Sequence, residues 1–346
     1  MADMTLQFDD LLSRSRTQCR EDAIKAGLRP GNADDAWVEL HRHGCRQEES
    51  ERPIIRTEEE GDTVKFALRM RDGHETESVI LPMQGSTGKK RITLCLSSQV
   101  GCALGCAFCE TATMGLIRNL EVAEILTQWH VAKHTLKQDI SNIVFMGMGE
   151  PMENLDAVLQ AIEVLGDRSG AEIAPSRISV STAGRVKGID RYREFMNRDG
   201  WRQVRLAVSV NAPNEEIRKE LMPITRAESM ESVRNAMQRW LDDGGQKILV
   251  EYVLIPGMND HPDHPQQLAD WIQDMNCRVN VIPYNPRRDS PWPAPTEESI
   301  DLFIADLLSA GCQVNRRRTM GRDVMAACGQ LGNPEIKRRV PLRIPR

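Results

Sequence analysis

The chain has 346 residues, and its 45 Lys and Arg against 50 Asp and Glu leave a formal charge of −5, which excludes a surface coated in positive charge. The length suffices for one large α/β domain with a small appendage and a sizeable core. No stretch approaches the roughly 18 consecutive apolar residues a membrane span needs, and the N-terminus MADMTLQFDDLLSRSRTQ has acids where a secretory signal is basic and then apolar, so a cytoplasmic location is expected.

In chain order, residues 1–60 form a small, weakly helical appendage that is net acidic and ends in Glu58-Glu59-Glu60, read as a surface turn. Residues 61–92 follow as a β-hairpin-like extension, with the runs TVKFALRM and ESVILPM separated by the turn-former Arg71-Asp72-Gly73. From 93 to 314 the pattern alternates. The β-rich runs RITLCLSS, NIVFMG, ISVST, RLAVSV, LVEYVLI and VNVIPYN are each, except the last, followed by a longer stretch of helical period such as LDAVLQAIEVLG or MESVRNAMQRWLDDG. Parallel neighbours need long crossovers, so these are βα units of a parallel sheet. Such a series can close as a full or partial barrel or lie open as a doubly wound sheet. Polar or Gly-rich motifs follow the C-terminal ends of most strands, the face where barrel enzymes gather their chemistry, which favours a barrel. Residues 315–346 form a basic C-terminal segment, with nine Lys or Arg against Asp323 and Glu335.

The nine cysteines are an odd number, scattered through a chain too long for a disulfide-stapled scaffold, so metal binding or catalysis explains them better. Three of them form a CxxxCxxC loop after the first barrel strand: Cys102, Cys106 and Cys109. Three thiolates can each hold one iron of a [4Fe-4S] cubane and leave the fourth iron free to bind the amino and carboxylate groups of S-adenosylmethionine. A structural zinc site would need a partner CxxC or HxxxH at finger-like spacing, and none is present.

From Glu77 to about Leu331 the sequence resembles the RlmN/Cfr family of radical S-adenosylmethionine RNA adenine methyltransferases. The motifs are TLCLSSQVGCALGCAFC at 93–109, GMGEP at 147–151, SVSTAG at 179–184, SVNAPNEEIR at 209–218, VEYVLIPGMND at 250–260, IPYNP at 282–286 and AACGQL at 326–331, in this order. The resemblance implies a partial (βα)6 TIM-type radical SAM barrel and a methylation that consumes two molecules of S-adenosylmethionine. Cys328 then matches the methyl-accepting cysteine, Cys95 the resolving cysteine that forms a transient disulfide with it, and Glu77 the proton-accepting carboxylate. Gly149, Glu150, Ser181, Ser209, Val210, Asn211 and Asn285 match the cofactor-binding positions. The implied product is a methyl group on a ring carbon of adenosine, C2 ahead of C8, in ribosomal RNA and also transfer RNA. A low-potential electron donor such as flavodoxin or ferredoxin is the expected partner for this chemistry, and the chain is expected to act as a monomer. A non-RNA substrate for the same chemistry and a non-catalytic iron-sulfur RNA adaptor are the competing readings, the latter opposed by the intact cysteine set.

Three departures from the family pattern stand out, one of them the altered segment NRRRTMGRD at 315–323. Asn211 occupies a position usually held by histidine, and the short N-terminus matches poorly to the accessory region that grips structured RNA. Arg316, Arg317, Arg318, Lys337, Arg338 and Arg339 are the candidate phosphate contacts. Cys19, Cys45, Cys277 and Cys312 carry no functional argument.

Overall fold

A computed structural model describes residues 7–45, 52–84, 88, 90–333 and 335–336. The appendage consists of α1 (Phe8–Ser13), α2 (Arg16–Lys25) and α3 (Pro30–Val38). Ser15 starts α2 with a capping box, its hydroxyl accepting the Gln18 N–H while the Gln18 side chain accepts the Ser15 N–H. Next come β1 (Ile54–Glu60), β2 (Thr63–Arg69), β3 (Glu75–Gln84) and β4 (Lys90–Cys95), paired antiparallel in succession. The hairpin expectation therefore holds for β2 and β3. The acidic run at 58–60 is not a turn: it is the end of β1, where Glu58 pairs with Lys65 across the ladder.

Beyond β4 the chain makes a short ribbon of β5 (Gln99–Gly101) and β6 (Leu116–Asn119) around α4 (Glu110–Thr113). The βα units then follow in order: α5 (Val122–His130), β7 (Asn142–Phe145), α6 (Leu155–Gly166), β8 (Ile178–Thr182), α7 (Val186–Met196) and β9 (Arg205–Ser209). The short α8 (Glu215–Leu221) precedes α9 (Met230–Asp242), β10 (Ile248–Leu254), α10 (His264–Trp271), β11 (Cys277–Pro283), α11 (Glu297–Ser309) and β12 (Val314–Arg316). Strands β4, β7, β8, β9, β10, β11 and β12 are parallel neighbours in that order, so one ten-stranded sheet runs from β1 to β12. All six predicted barrel strands are present. The last is not bare, however: α11 and β12 extend it into a further unit, with the helix masked in the sequence by the preceding PWPAP.

The strands are apolar because both of their faces are covered, and the crossover helices turn one apolar stripe inward. Trp129 of α5 and Trp240 of α9 are fully buried, as is Trp37 of α3, which ties the appendage to the same core. Among the described residues, no helix is long and apolar enough to cross a membrane.

The seam between appendage and barrel is lined by buried imidazoles. The His41 ring stacks on Trp37 at 3.9 Å and donates its Nδ1–H to the Trp37 carbonyl at 2.9 Å, while the His130 and His134 rings lie 4.6 Å apart. Burial lowers His41 to about 4 and His130 to about 3, and lowers His134 as well. Unfolded histidines protonate near pH 6.5 while these resist, so the stabilisation is complete above that pH and is lost as pH falls towards 3–4. Urea unfolding at a series of pH values should show stability falling below about pH 6.5, by up to about 1.4 kcal/mol per pH unit for each histidine. His130→Gln should reduce that slope by one histidine's share; an unchanged slope would refute the assignment.

Candidate active site

The parallel register brings the ends of β4, β7, β8, β9, β10 and β11 to one edge, and the three-cysteine loop folds over it. Gly101 ends β5 with φ +76°, and a Cβ there would sit 1.8 Å from the Gly115 carbonyl oxygen, so only glycine fits. That carbonyl accepts the Cys102 N–H at 3.1 Å, which pins the loop entrance to the ribbon. The loop's far side is fixed by the Ala107 N–H, donated to the Leu221 carbonyl at 2.9 Å, and the Cys109 N–H turns back to the Cys106 carbonyl at 3.1 Å.

Cys102, Cys106 and Cys109 line one cavity of about 190 Å³, together with Cys95, Gly149, Glu150, Ser181, Ser209, Asn211 and Cys328. Burial pushes the Cys102 thiol up to about 12 and raises Cys106 and Cys109, with repulsion between the sulfurs adding to it at Cys102 and Cys106. The donor set thus favours neutral thiols in bare protein and needs bound cationic iron to ionise it. No trio of His, Cys, Asp or Glu among the described residues converges as the ligands of a single ion would. A cubane, in which each thiolate takes a different iron, does not require such convergence.

Glu150 is buried beside the cysteines, with one oxygen accepting the Met152 N–H at 3.1 Å and the other the Ala183 N–H at 2.8 Å. Burial raises its carboxyl to about 7. Gly149 before it has φ +97°, and a Cβ there would meet Gln99 at 2.5 Å.

Three predicted residues lie elsewhere. Val210 is core and lines neither cavity. Asn285 lines an adjoining outer cleft of about 860 Å³, where its side-chain oxygen accepts from Arg322 Nε at 3.1 Å. Glu77 also lines neither cavity: one oxygen accepts from Arg56 at 2.6 Å and the other from the Gly332 N–H at 2.8 Å. Asn211 has a left-handed backbone, φ +56°, which asparagine tolerates well. Its amide oxygen accepts the Val253 N–H at 2.9 Å, so it ties the end of β9 to β10.

Cys328 lines both spaces. Its surface is open although it packs deeply enough for burial to raise its thiol, an effect Arg317 opposes and Glu251 reinforces. Cys95 at the end of β4 is likewise raised by burial, to about 12, with the Cys328 sulfur contributing. Arg317 and Arg318 line the outer cleft. Arg316 does too, but it is committed to Glu297 and, at 3.0 Å, to Asp301 of α11, so it is a poor phosphate contact. Lys337, Arg338 and Arg339 lie outside the described residues.

Sequence reading passed over Glu251 and the particular position of Arg317. Glu251 is buried in β10, faces the inner cavity and holds Asn280 at 2.8 Å. Its signal was a lone carboxylate inside the apolar run ILVEYVL, costly to bury without a purpose.

Residues 96–272 match the Radical SAM superfamily. A probable dual-specificity RNA methyltransferase RlmN 1 from Protochlamydia amoebophila is 40% identical over 293 residues, covering 85% of this chain and 79% of that protein. The dual-specificity RNA methyltransferase RlmN of Lawsonia intracellularis is 41% identical over 285 residues, covering 80% and 78%. The chain belongs to the RlmN family. A radical SAM methyltransferase from Sphaerobacter thermophilus superposes with a TM-score of 0.85 at 31% identity, covering 94% of this chain and 99% of that one. Membership in the RlmN family makes this a radical methyltransferase whose cofactors are a [4Fe-4S] cluster and S-adenosylmethionine.

If the β5–β6 ribbon sets the cysteine loop, Gly101→Ala should cut iron loading on anaerobic reconstitution several-fold. Gly105→Ala, whose Cβ meets only Pro223 at 3.7 Å, should do so far less despite its φ of +69°. Equal iron content in the two variants would contradict this.

Proposed function

We propose that this chain methylates a ring carbon of adenosine in RNA, C2 being the favoured carbon, with ribosomal RNA as the main substrate and transfer RNA as a second. The carrying observation is that Cys328 stands at the junction of two spaces: an inner cavity with three clustered cysteines and an outer cleft lined by arginines. The names of the RlmN relatives support an RNA substrate.

The ring carbon is too weakly nucleophilic to take methyl from a sulfonium directly, so a carbon radical must be delivered to it. Cys102, Cys106 and Cys109 would hold the cluster, with Gly149, Glu150, Ser181 and Ser209 around the S-adenosylmethionine. When bound, these groups supply a methyl cation equivalent and, with one electron, a primary carbon radical. Cys328 first gives up its thiol proton and accepts the methyl group on sulfur. A hydrogen atom of that S-methyl group would pass to the primary carbon radical, leaving on Cys328 a thiomethylene radical that adds to the adenine carbon. The adduct would lose one electron to the oxidised cluster together with its ring proton, which leaves the base joined to Cys328 through a methylene carbon, and the Cys95 thiolate attacks the Cys328 sulfur. The carbon leaves as the new methyl group, protonated from the site, and a Cys95–Cys328 disulfide remains for a cellular dithiol to reduce. Glu77 would accept the ring proton only after the Gly332 N–H has released its carboxylate. Arg317 and Arg318 offer phosphate contacts at the cleft, and the adenosine must be unstacked to reach Cys328.

Nucleoside mass spectrometry with site mapping, on ribosomal and transfer RNA from source cells with and without the gene, tests this reading. Deletion should remove 2-methyladenosine at its site. Restoring the gene as Cys328→Ala should leave methylation at background while the purified variant keeps its iron. Methylation by the alanine variant would sink the methylcysteine route.

A further inference from the structure

The segment from Gly321 to Gly332 carries Cys328 and contains neither helix nor strand. Gly321, Gly329 and Gly332 have φ of +74°, +83° and +132°, and Met325 has +52°. A backbone of this shape cannot satisfy all its polar groups from within, so neighbouring chain must supply partners.

Two carboxylates of the antiparallel strands supply them. Glu60, the last residue of β1, accepts the Gly321 N–H at 3.1 Å on one oxygen and the Asp323 N–H at 2.7 Å on the other. Glu77 of β3 accepts the Gly332 N–H at 2.8 Å. Between these ends the segment lies on α4, directly after the cluster loop. There the Glu110 N–H reaches the Gly329 carbonyl at 2.7 Å and the Thr111 hydroxyl reaches the Leu331 carbonyl at 2.5 Å. Each end of the segment is thus held by an acid, and its middle is registered on the helix that begins after Cys109.

We propose that Glu60 is a positioning residue for Cys328. By anchoring the near end of the segment through both carboxylate oxygens, it holds the thiol at the junction between the inner cavity and the outer cleft. Hydrogen bonds to a charged acceptor are stronger than neutral ones, and two on one carboxylate fix orientation as well as distance. Glu60 lines neither cavity, so its effect on the chemistry passes through the segment it anchors, which carries Cys328. The inference rests on the reading of Cys328 as the methyl acceptor.

The test uses the full chain with its cluster reconstituted anaerobically, as wild type, Glu60→Gln and Glu60→Ala. Amide hydrogen exchange is followed in peptides covering 321–332 and, as a reporter of global unfolding, in α2. Single-turnover methylation of Cys328 is measured against S-adenosylmethionine concentration by peptide mass. Glu60→Ala should exchange about tenfold faster in 321–332 with α2 unchanged, and its maximal methylation rate should fall about tenfold. The half-saturating S-adenosylmethionine concentration should stay within about twofold, because the loop cysteines, Glu150, Ser181 and Ser209 lie outside the anchored segment. Glu60→Gln keeps one acceptor oxygen and should fall between the two on both measures. Unchanged exchange or unchanged methylation in Glu60→Ala would overturn the proposal, as would exchange rising equally in α2. If wild-type Cys328 accepts no methyl group at all, the methyl-acceptor reading fails instead, and the exchange data still decide whether Glu60 holds the segment.

Discussion

Parallel pairing is the constraint on which the rest of this molecule depends. Strands that run in one direction must put all their C-terminal ends on one edge, and each crossover helix must return on the outside. Residues as distant in sequence as Cys95, Gly149, Ser181, Ser209 and Glu251 therefore meet around a single cavity without any of them being near another along the chain. The cysteine loop needs no fold of its own. It needs a roof position over that edge, given by the β5–β6 ribbon on one side and by the Leu221 carbonyl on the other.

Low polarity at that edge governs the chemistry. Every thiol there is raised by burial, and so are the Glu150 and Glu251 carboxyls. Charge in such a place must be brought in with a compensating group: cationic iron for the three loop cysteines, and the Arg317 guanidinium for Cys95, Cys328 and Glu251. Arg317 sits where the inner cavity meets the outer cleft, so the same cation is available to the sulfurs within and to a polyanion outside.

Most of the barrel was legible because its strands and helices differ sharply in period, and the cysteine loop because three thiols at that spacing have few other uses. What escaped depends on distance in sequence. The run at 58–60 looks like a turn when read locally; it is strand because β2 lies opposite it. Three-residue β12 is too short to carry a pattern, and Arg316 looks free until α11 brings Glu297 and Asp301 beside it. Glu77 was singled out by the family resemblance alone; read locally it is an exposed hairpin acid, and nothing nearby in the sequence shows that it is buried with Arg56 and Gly332 on its two oxygens. Val210 is a simpler case: it lies between two cavity-facing neighbours at the end of a buried strand, is itself buried and lines neither cavity.

The antiparallel strands β1, β2 and β3 follow the same logic from the other edge of the sheet. A parallel barrel ending at β4 would expose that strand's ladder and offer nothing to hold a chain passing over the cavity mouth. Three added strands cover the ladder, and they also carry a file of acids and bases towards the C-terminal segment: Glu60 to Gly321 and Asp323, Lys65 to the Met325 carbonyl, Glu77 to Gly332. The extension is thus a surface against which an irregular, cysteine-bearing segment can be folded with its polar groups satisfied. An acid run that would be mere solubilising charge on a free loop becomes, once paired into the sheet, the means by which a thiol some 270 residues away is held over the active edge.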